Sequence, residues 1–118
     1  MAIEVELDIF SGRRNPTWVL EREQEAEFLT LLKIIQSRPA ESAQTAPKAP
    51  PLGYRGFNIR SAGHQELPEL LKVYGGAVCQ DDKTYPDVDR ELEKWLLGAA
   101  SPFVSDAVTR AISQKLGK

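Results

Sequence analysis

Cysteine and histidine each occur once in this 118-residue chain, as Cys79 and His64. A single thiol excludes an internal disulfide and any zinc site built on several thiolates. A lone imidazole in a glycine-flanked turn lacks the partners that hold a catalytic or metal-binding ring and fix its tautomer. Ser11, Ser61 and Ser101 stand in Gly, Ala or Pro contexts and not in the Gly-x-Ser-x-Gly elbow of a serine hydrolase. No catalytic residue, cofactor or metal site is assigned on these grounds. No apolar run approaches the roughly 18 residues needed to span a bilayer. The start, Met1 to Glu6, has neither the basic flank nor the apolar stretch of a signal peptide. The expectation is a cytoplasmic protein without a membrane partner. A formal net charge of −2 supplies no global attraction for nucleic acid.

What is present is the make-up of an ordinary globular protein, 42% hydrophobic and 27% charged, in a length suited to one core. Residues 1–118 are therefore read as a single domain. Ile3, Val5, Leu7 and Ile9 alternate with Glu4, Glu6 and Asp8, the period of a strand with one wet face. Ser11-Gly12 and Asn15-Pro16 supply turn chemistry, and Thr17 to Leu20 suits a brief strand or a helix entry. From about Glu21 to Gln36, Phe28, Leu31, Leu32 and Ile35 share one helical stripe, with glutamates early and Lys33 late to match the helix dipole. Residues 38–51 are rich in proline and alanine and read as a mobile connector inside the domain.

Leu52 to Arg60 follows as a strand with Phe57 and Ile59 facing the core, and alternation places Arg55 on the same inward face. Leu71 to Cys79 reads as the next strand, broken by Gly75-Gly76 as at a bulge, and a hairpin between these two strands is the economical pairing. Gln80 to Asp87 is expected as a polar loop with Thr84 as N-cap. A helix then carries Val88, Leu92, Trp95, Leu96 and Ala99. A last helix starts at Ser101-Pro102 and carries Val104, Val108, Ala111 and Ile112. The sum is an α+β fold: a three- or four-stranded, mostly antiparallel sheet with about three helices packed on one face.

Several groups of side chains invite a functional reading. Glu4, Glu6 and Asp8 line the outer face of the first strand, where cross-strand pairing with Arg60 or Lys72 accounts for them without a bound cation. Asp81, Asp82, Asp87 and Asp89 lack the order of a calcium loop and are explained by solubility and capping. Ser11 to Asn15 presents Arg13 and Arg14 in a turn that could cradle an anion, although its spacing is neither a P-loop nor a dinucleotide fingerprint. Trp18, Tyr54, Arg55 and Phe57 add rings and a further guanidinium. Core packing of Trp18 and Phe57, with Arg55 satisfied by a carboxylate or by backbone carbonyls, explains this set better than a single-stranded nucleic-acid surface does. Tyr54 and Tyr74 are expected on the outer face beside Asn58 and Arg60.

Two segments, Asp8-Ile9-Phe10-Ser11-Gly12-Arg13-Arg14-Asn15-Pro16-Thr17-Trp18 and Leu52-Gly53-Tyr54-Arg55-Gly56-Phe57, resemble a family of small bacterial and fungal proteins. That family pairs Asp-x-Phe-Ser-Gly-Arg-x-Asn-Pro-x-Trp with Leu-Gly-Tyr-Arg-Gly-Phe. The likeness extends to Val73-Tyr74-Gly75-Gly76 and to Glu93-Lys94-Trp95-Leu96-Leu97, and Arg14 stands where proline is common. The resemblance brings no activity and no catalytic residue. It implies that the first loop and the tyrosine-arginine strand act together. Charge pairing supplies a physical means: Arg13 or Arg55 can cross between them, held by Asp8 and flanked by Trp18 and Tyr54, because a buried arginine must be matched by an acid.

The reading that results is a small non-enzymatic accessory protein. It binds a peptide or protein partner through Arg13, Arg14, Asn15, Trp18, Tyr54 and Arg55, together with the sheet surface or an exposed strand edge. The second reading is a small enzyme or carrier for an anionic metabolite, with Arg13, Arg14 and Arg55 as clamps and Asp8 as acid or base. A third is an immunity or inhibitor protein that turns an acidic surface toward a basic toxin or nuclease.

Overall fold

The computed structural model describes residues 3–9, 14–39, 41–42, 53–61, 70–80 and 83–116. Seven strands and three α-helices follow in the order β1 (Glu4–Leu7), β2 (Thr17–Val19), α1 (Arg22–Gln36), β3 (Glu41–Ser42), β4 (Phe57–Arg60), β5 (Leu70–Tyr74), β6 (Ala77–Gln80), β7 (Lys83–Pro86), α2 (Glu91–Ala100) and α3 (Asp106–Leu116). The strands form one sheet in the order β2-β1-β4-β5-β6-β7-β3, and every neighbouring pair is antiparallel. The α+β class and the three helices match the expectation from sequence. The sheet is larger than the expected three or four strands: six strands of three to five residues, plus β3 with two.

One turn and one additional strand account for most of the difference. Gly75 and Gly76, at φ of 65° and 83°, are not a bulge inside one strand. They form the two-residue turn of a hairpin between β5 and β6, a conformation in which both central residues need positive φ. The segment expected as a polar loop with Thr84 as cap folds instead into β7, with Thr84 opposite Cys79 and Gln80 opposite Lys83. Thr84 is buried there. The calcium-loop acids Asp81 and Asp82, which join β6 to β7, lie outside the described residues. Glu41 and Ser42, inside the expected connector, pair with Thr84 and Lys83, and most of that connector also lies outside the described residues.

Residues of alternate parity line one face of the sheet. Trp18, Val5, Ile59 and Leu71 form one cross-strand row and Leu7, Phe57, Val73 and Val78 the next. All are buried, and they share a single core with Phe28, Leu32 and Ile35 of α1, Leu92, Leu96, Leu97 and Ala100 of α2, and Ile112 of α3. Burying side chains of this size stabilises a fold by about 1.5–3 kcal/mol each, which is why the helices cover this face. The opposite face carries Glu4, Glu6, Asn58, Arg60 and Lys72 in register, and among the described residues no helix covers it.

The helix boundaries have local causes. At the start of α1, Glu21 and Gln24 form a reciprocal capping box in which the Glu21 amide donates to Gln24 Oε1 at 2.9 Å. The start of α2 is capped by Asp87, whose two carboxylate oxygens accept from the amides of Leu92 at 2.9 Å and Glu93 at 3.1 Å. The last helix begins later than Ser101-Pro102: residues 101–104 form a turn, and Ser105 Oγ accepts from Val108 N at 3.3 Å.

Candidate functional site

The opening loop and the β4 segment meet at a bulge. Regular pairing of β1 with β4 ends at Leu7 opposite Phe57. Beyond it the Asp8 amide donates to Gly56 O at 2.9 Å, while Asp8 O accepts from the Arg55 amide at 2.7 Å, so two residues oppose one. Gly56 has a φ of 99°, and a Cβ placed on it falls 2.4 Å from Val73 O and 2.7 Å from Tyr74 Cβ. No other residue fits. The extra residue reverses the alternation and sends Arg55 to the outer face, not the inner one. Tyr54 is carried inward, not outward beside Asn58 and Arg60, and is buried.

On the outer face Arg55 grips Asp8 through Nη2 at 2.8 Å and Nε at 3.1 Å. Lys72 Nζ stands 3.7 Å from the other Asp8 oxygen. Asn15 ties the loop to β1: its Oδ1 accepts from the Ile9 amide at 3.1 Å and its Nδ2 donates to Glu6 Oε2 at 3.0 Å. Arg60 Nη2 meets Glu6 Oε1 at 2.7 Å, and Nη1 lies 3.8 Å from Glu4. Burial works against ionisation of Glu6, but hydrogen bonds from Asn15, Arg60 and Asn58 and the charge of Arg60 outweigh it, holding the carboxyl below its ordinary range. Glu4 and Glu6 of β1 and Asp8 just beyond it thus face Arg55, Arg60 and Lys72. An anionic ligand at this face would have to displace carboxylates already hydrogen-bonded to the cations it seeks.

Beneath the sheet, Tyr54 heads a second network. Its hydroxyl donates to Glu93 Oε2. Glu93 is fully buried and also accepts from Arg90 Nε at 3.0 Å, Arg90 Nη2 at 3.1 Å and the Gly76 amide at 3.3 Å. Burial, followed by the charge and hydrogen bond of Glu93, pushes the Tyr54 phenol far above its ordinary value. Burial likewise raises the carboxyl of Asp87 despite its two amide donors. Asp89 and Arg90 have φ of 59° and 55°, a pair of left-handed residues costing about 1–3 kcal/mol each, and the bidentate Arg90–Glu93 bond holds the second in place. Glu93 thereby ties Tyr54, Arg90 and the β5–β6 turn together. A signal for it exists in sequence: Glu93, Leu96, Leu97 and Ala100 are spaced i, i+3, i+4 and i+7, which sets a carboxylate in an apolar stripe.

The five expected binding residues that are described take part in different contacts. Arg55 and Asn15 serve the outer network, Tyr54 the inner one, and Arg14 is exposed. Trp18 is buried and stacks on Phe103 with ring centroids 5.5 Å apart and planes 6° apart. Arg13 lies outside the described residues, as does His64. Among the described residues no group of three or more His, Cys, Asp or Glu side chains is placed to hold a metal ion, and no helix is long and apolar enough to cross a membrane.

A feature not anticipated in detail is the free side of β2, at one end of the sheet. Leu7 N donates to Pro16 O and Leu20 N to Ile3 O, each at 3.0 Å. With Val5 opposite Trp18, the bonded positions fall at Pro16, Trp18 and Leu20. The amides and carbonyls of Thr17 and Val19 point the other way, to the outside, and no described residue pairs with them. The side chain of Val19 is 54% exposed, and that of Phe103, next to Trp18, is also 54% exposed. Trp18 Nε1 is buried without a hydrogen-bond partner among the described residues. No family model, curated protein or solved structure matches the chain.

Proposed function

We propose that the protein is a non-enzymatic binding module that accepts an extended segment of a partner protein along β2. The observation that carries this reading is the open main-chain edge at Thr17 and Val19, flanked by the exposed side chains of Val19 and Phe103. An added strand would satisfy those amides and carbonyls, and its alternate side chains would contact Val19 on one face and the Phe103 ring on the other. Arg14, exposed on the approach to β2, supplies a charge for acidic residues of the partner. The anionic-metabolite reading draws less support, because its proposed clamp Arg55 is held by its proposed acid Asp8.

Affinity purification from the native host with wild type and with Thr17→Pro and Val19→Lys tests the proposal. Proline at 17 removes an outward amide without touching the bonds to β1, and lysine at 19 is a common guard of natural sheet edges. Loss of a specific interactor from both variants is expected. Retention of every interactor by both would remove β2 as the binding edge.

A further inference from the structure

The helical side of the molecule bears a second surface, independent of β2. Trp95 of α2 lies half-buried between two open depressions. One, of about 400 Å³, is walled by Ala26, Glu27, Thr30 and Leu31 of α1. The other, of about 300 Å³, is walled by Gln24 and Glu27 on one side and Gly98 and Ala99 on the other. The two share Trp95 and Glu27, so they form one groove along the α1–α2 seam. A smaller depression that includes Leu31 and Ile34 continues it, and Ile34 is 49% exposed. From Gln24 to Ile34 the groove follows α1 for about 15 Å.

Two details say what covers it. Gly98 lies in the last turn of α2, two residues before its end at Ala100, and a Cβ added there would meet nothing within 4 Å. The open space over Gly98 and Ala99 leaves room for the close approach of another chain. The second detail is charge. Among the described residues Glu27 is the sole ionisable one lining these two depressions. Its Oε1 accepts from Trp95 Nε1 at 3.0 Å, and its Oε2 has no partner among the described residues. Glu21, Glu23, Glu25 and Glu27 stand against Arg22 alone over that stretch of sequence. A cationic side chain could lay its aliphatic stem on Trp95 and Leu31 and bring its charge to Glu27 beside the indole face.

We infer that the α1–α2 groove docks a cationic amphipathic helix of a partner protein, with apolar residues seated around Trp95 and a lysine or arginine paired with Glu27. The probe is a synthetic Leu/Lys amphipathic helix of about 12 residues, about 18 Å long and so able to span the groove, with its Leu/Glu counterpart as control. Binding to the full chain is read from the Trp95 indole and Gly98 amide resonances.

Saturable shifts with the Leu/Lys peptide alone are expected. Glu27→Lys and Gly98→Leu should each weaken binding about tenfold or more, as truncation or blockage of a central contact does. Gly98→Ala, which adds only a methyl group in open space, should weaken it less and keeps the test valid if the leucine variant fails to fold. Val19→Lys should leave the affinity unchanged, which separates this surface from the β2 edge. Unmoved Trp95 signals, equal binding of the Leu/Glu peptide, or full affinity in both Glu27→Lys and Gly98→Ala would each overturn the inference.

Discussion

Asp8 and Arg55 are joined twice, once through the main chain, where Asp8 O accepts from the Arg55 amide at 2.7 Å, and once through the side chains, where Arg55 Nη2 meets Asp8 Oδ1 at 2.8 Å. Backbone pairing places the guanidinium within reach of the carboxylate, and the carboxylate then fixes its position. Both side chains are partly exposed, at 26% for Arg55 and 17% for Asp8, so water screens the attraction. A double-mutant cycle with Arg55→Met and Asp8→Asn should give a coupling of about 1 kcal/mol in urea unfolding. Unchanged stability in Arg55→Met with loss of a bound partner would instead assign Arg55 to a binding site.

Gly56 is the hinge of that arrangement. A side chain there collides with Val73 O, which is backbone and cannot rotate away, and it forces positive φ on a residue with a Cβ. Gly56→Ala should destabilise the fold by about 3 kcal/mol or more, seen as a large loss of the thermal midpoint or as failure to fold. A midpoint within a few degrees of wild type would contradict the bulge.

Tyr54→Phe removes one donor from Glu93 while leaving Arg90 in place, and should cost about 1–2 kcal/mol. The variant also tests a pH dependence. A phenol whose folded pKa lies above its unfolded value of about 10 stabilises the fold below that pH and loses the contribution as the pH rises further. The alkaline fall in wild-type stability should be steeper than that of Tyr54→Phe, measured by denaturant unfolding from about pH 8 upward.

Glu6 works in the opposite direction and at the other end of the scale. Its folded carboxyl titrates below 4.5, so its contribution is present above that pH and disappears as the pH falls through the lower folded value. Glu6→Gln should be less stable than wild type at neutral pH, and the two should converge in acid. A gap that stays constant down to about pH 3 would show that Glu6 acts by shape rather than charge.

Gly98→Ala should raise stability by about 0.5–1 kcal/mol, because alanine is the better helix former and its methyl group meets no neighbour. A higher thermal midpoint combined with weaker binding of the Leu/Lys peptide would identify a position where helix stability is lost to contact with a partner.

Much of the architecture was legible before any coordinates. The alternation from Ile3 to Ile9 and the stripe Phe28, Leu32 and Ile35 identify β1 and α1, because burial follows the repeat of each element. Register places Arg60 opposite Glu4 of β1, whereas the shorter Arg60–Glu6 bond and the approach of Lys72 to Asp8 are diagonal contacts set by side-chain reach. The hairpins β5–β6 and β6–β7 were harder to see, since Gly75-Gly76 signals a bulge as readily as a turn and β7 ends in Tyr85-Pro86, residues equally at home in a loop.

Local sequence determined the elements of this protein because side-chain spacing and backbone preference act over a few residues. Tertiary structure alone decided which way Arg55 and Tyr54 point, since a bulge of one residue inverts every side chain beyond it. It also decided that β2 stands at the end of the sheet and that Trp95 borders a groove. Those are matters of which segments become neighbours, and distances between segments far apart in the chain are set by packing, not by the residues on either side.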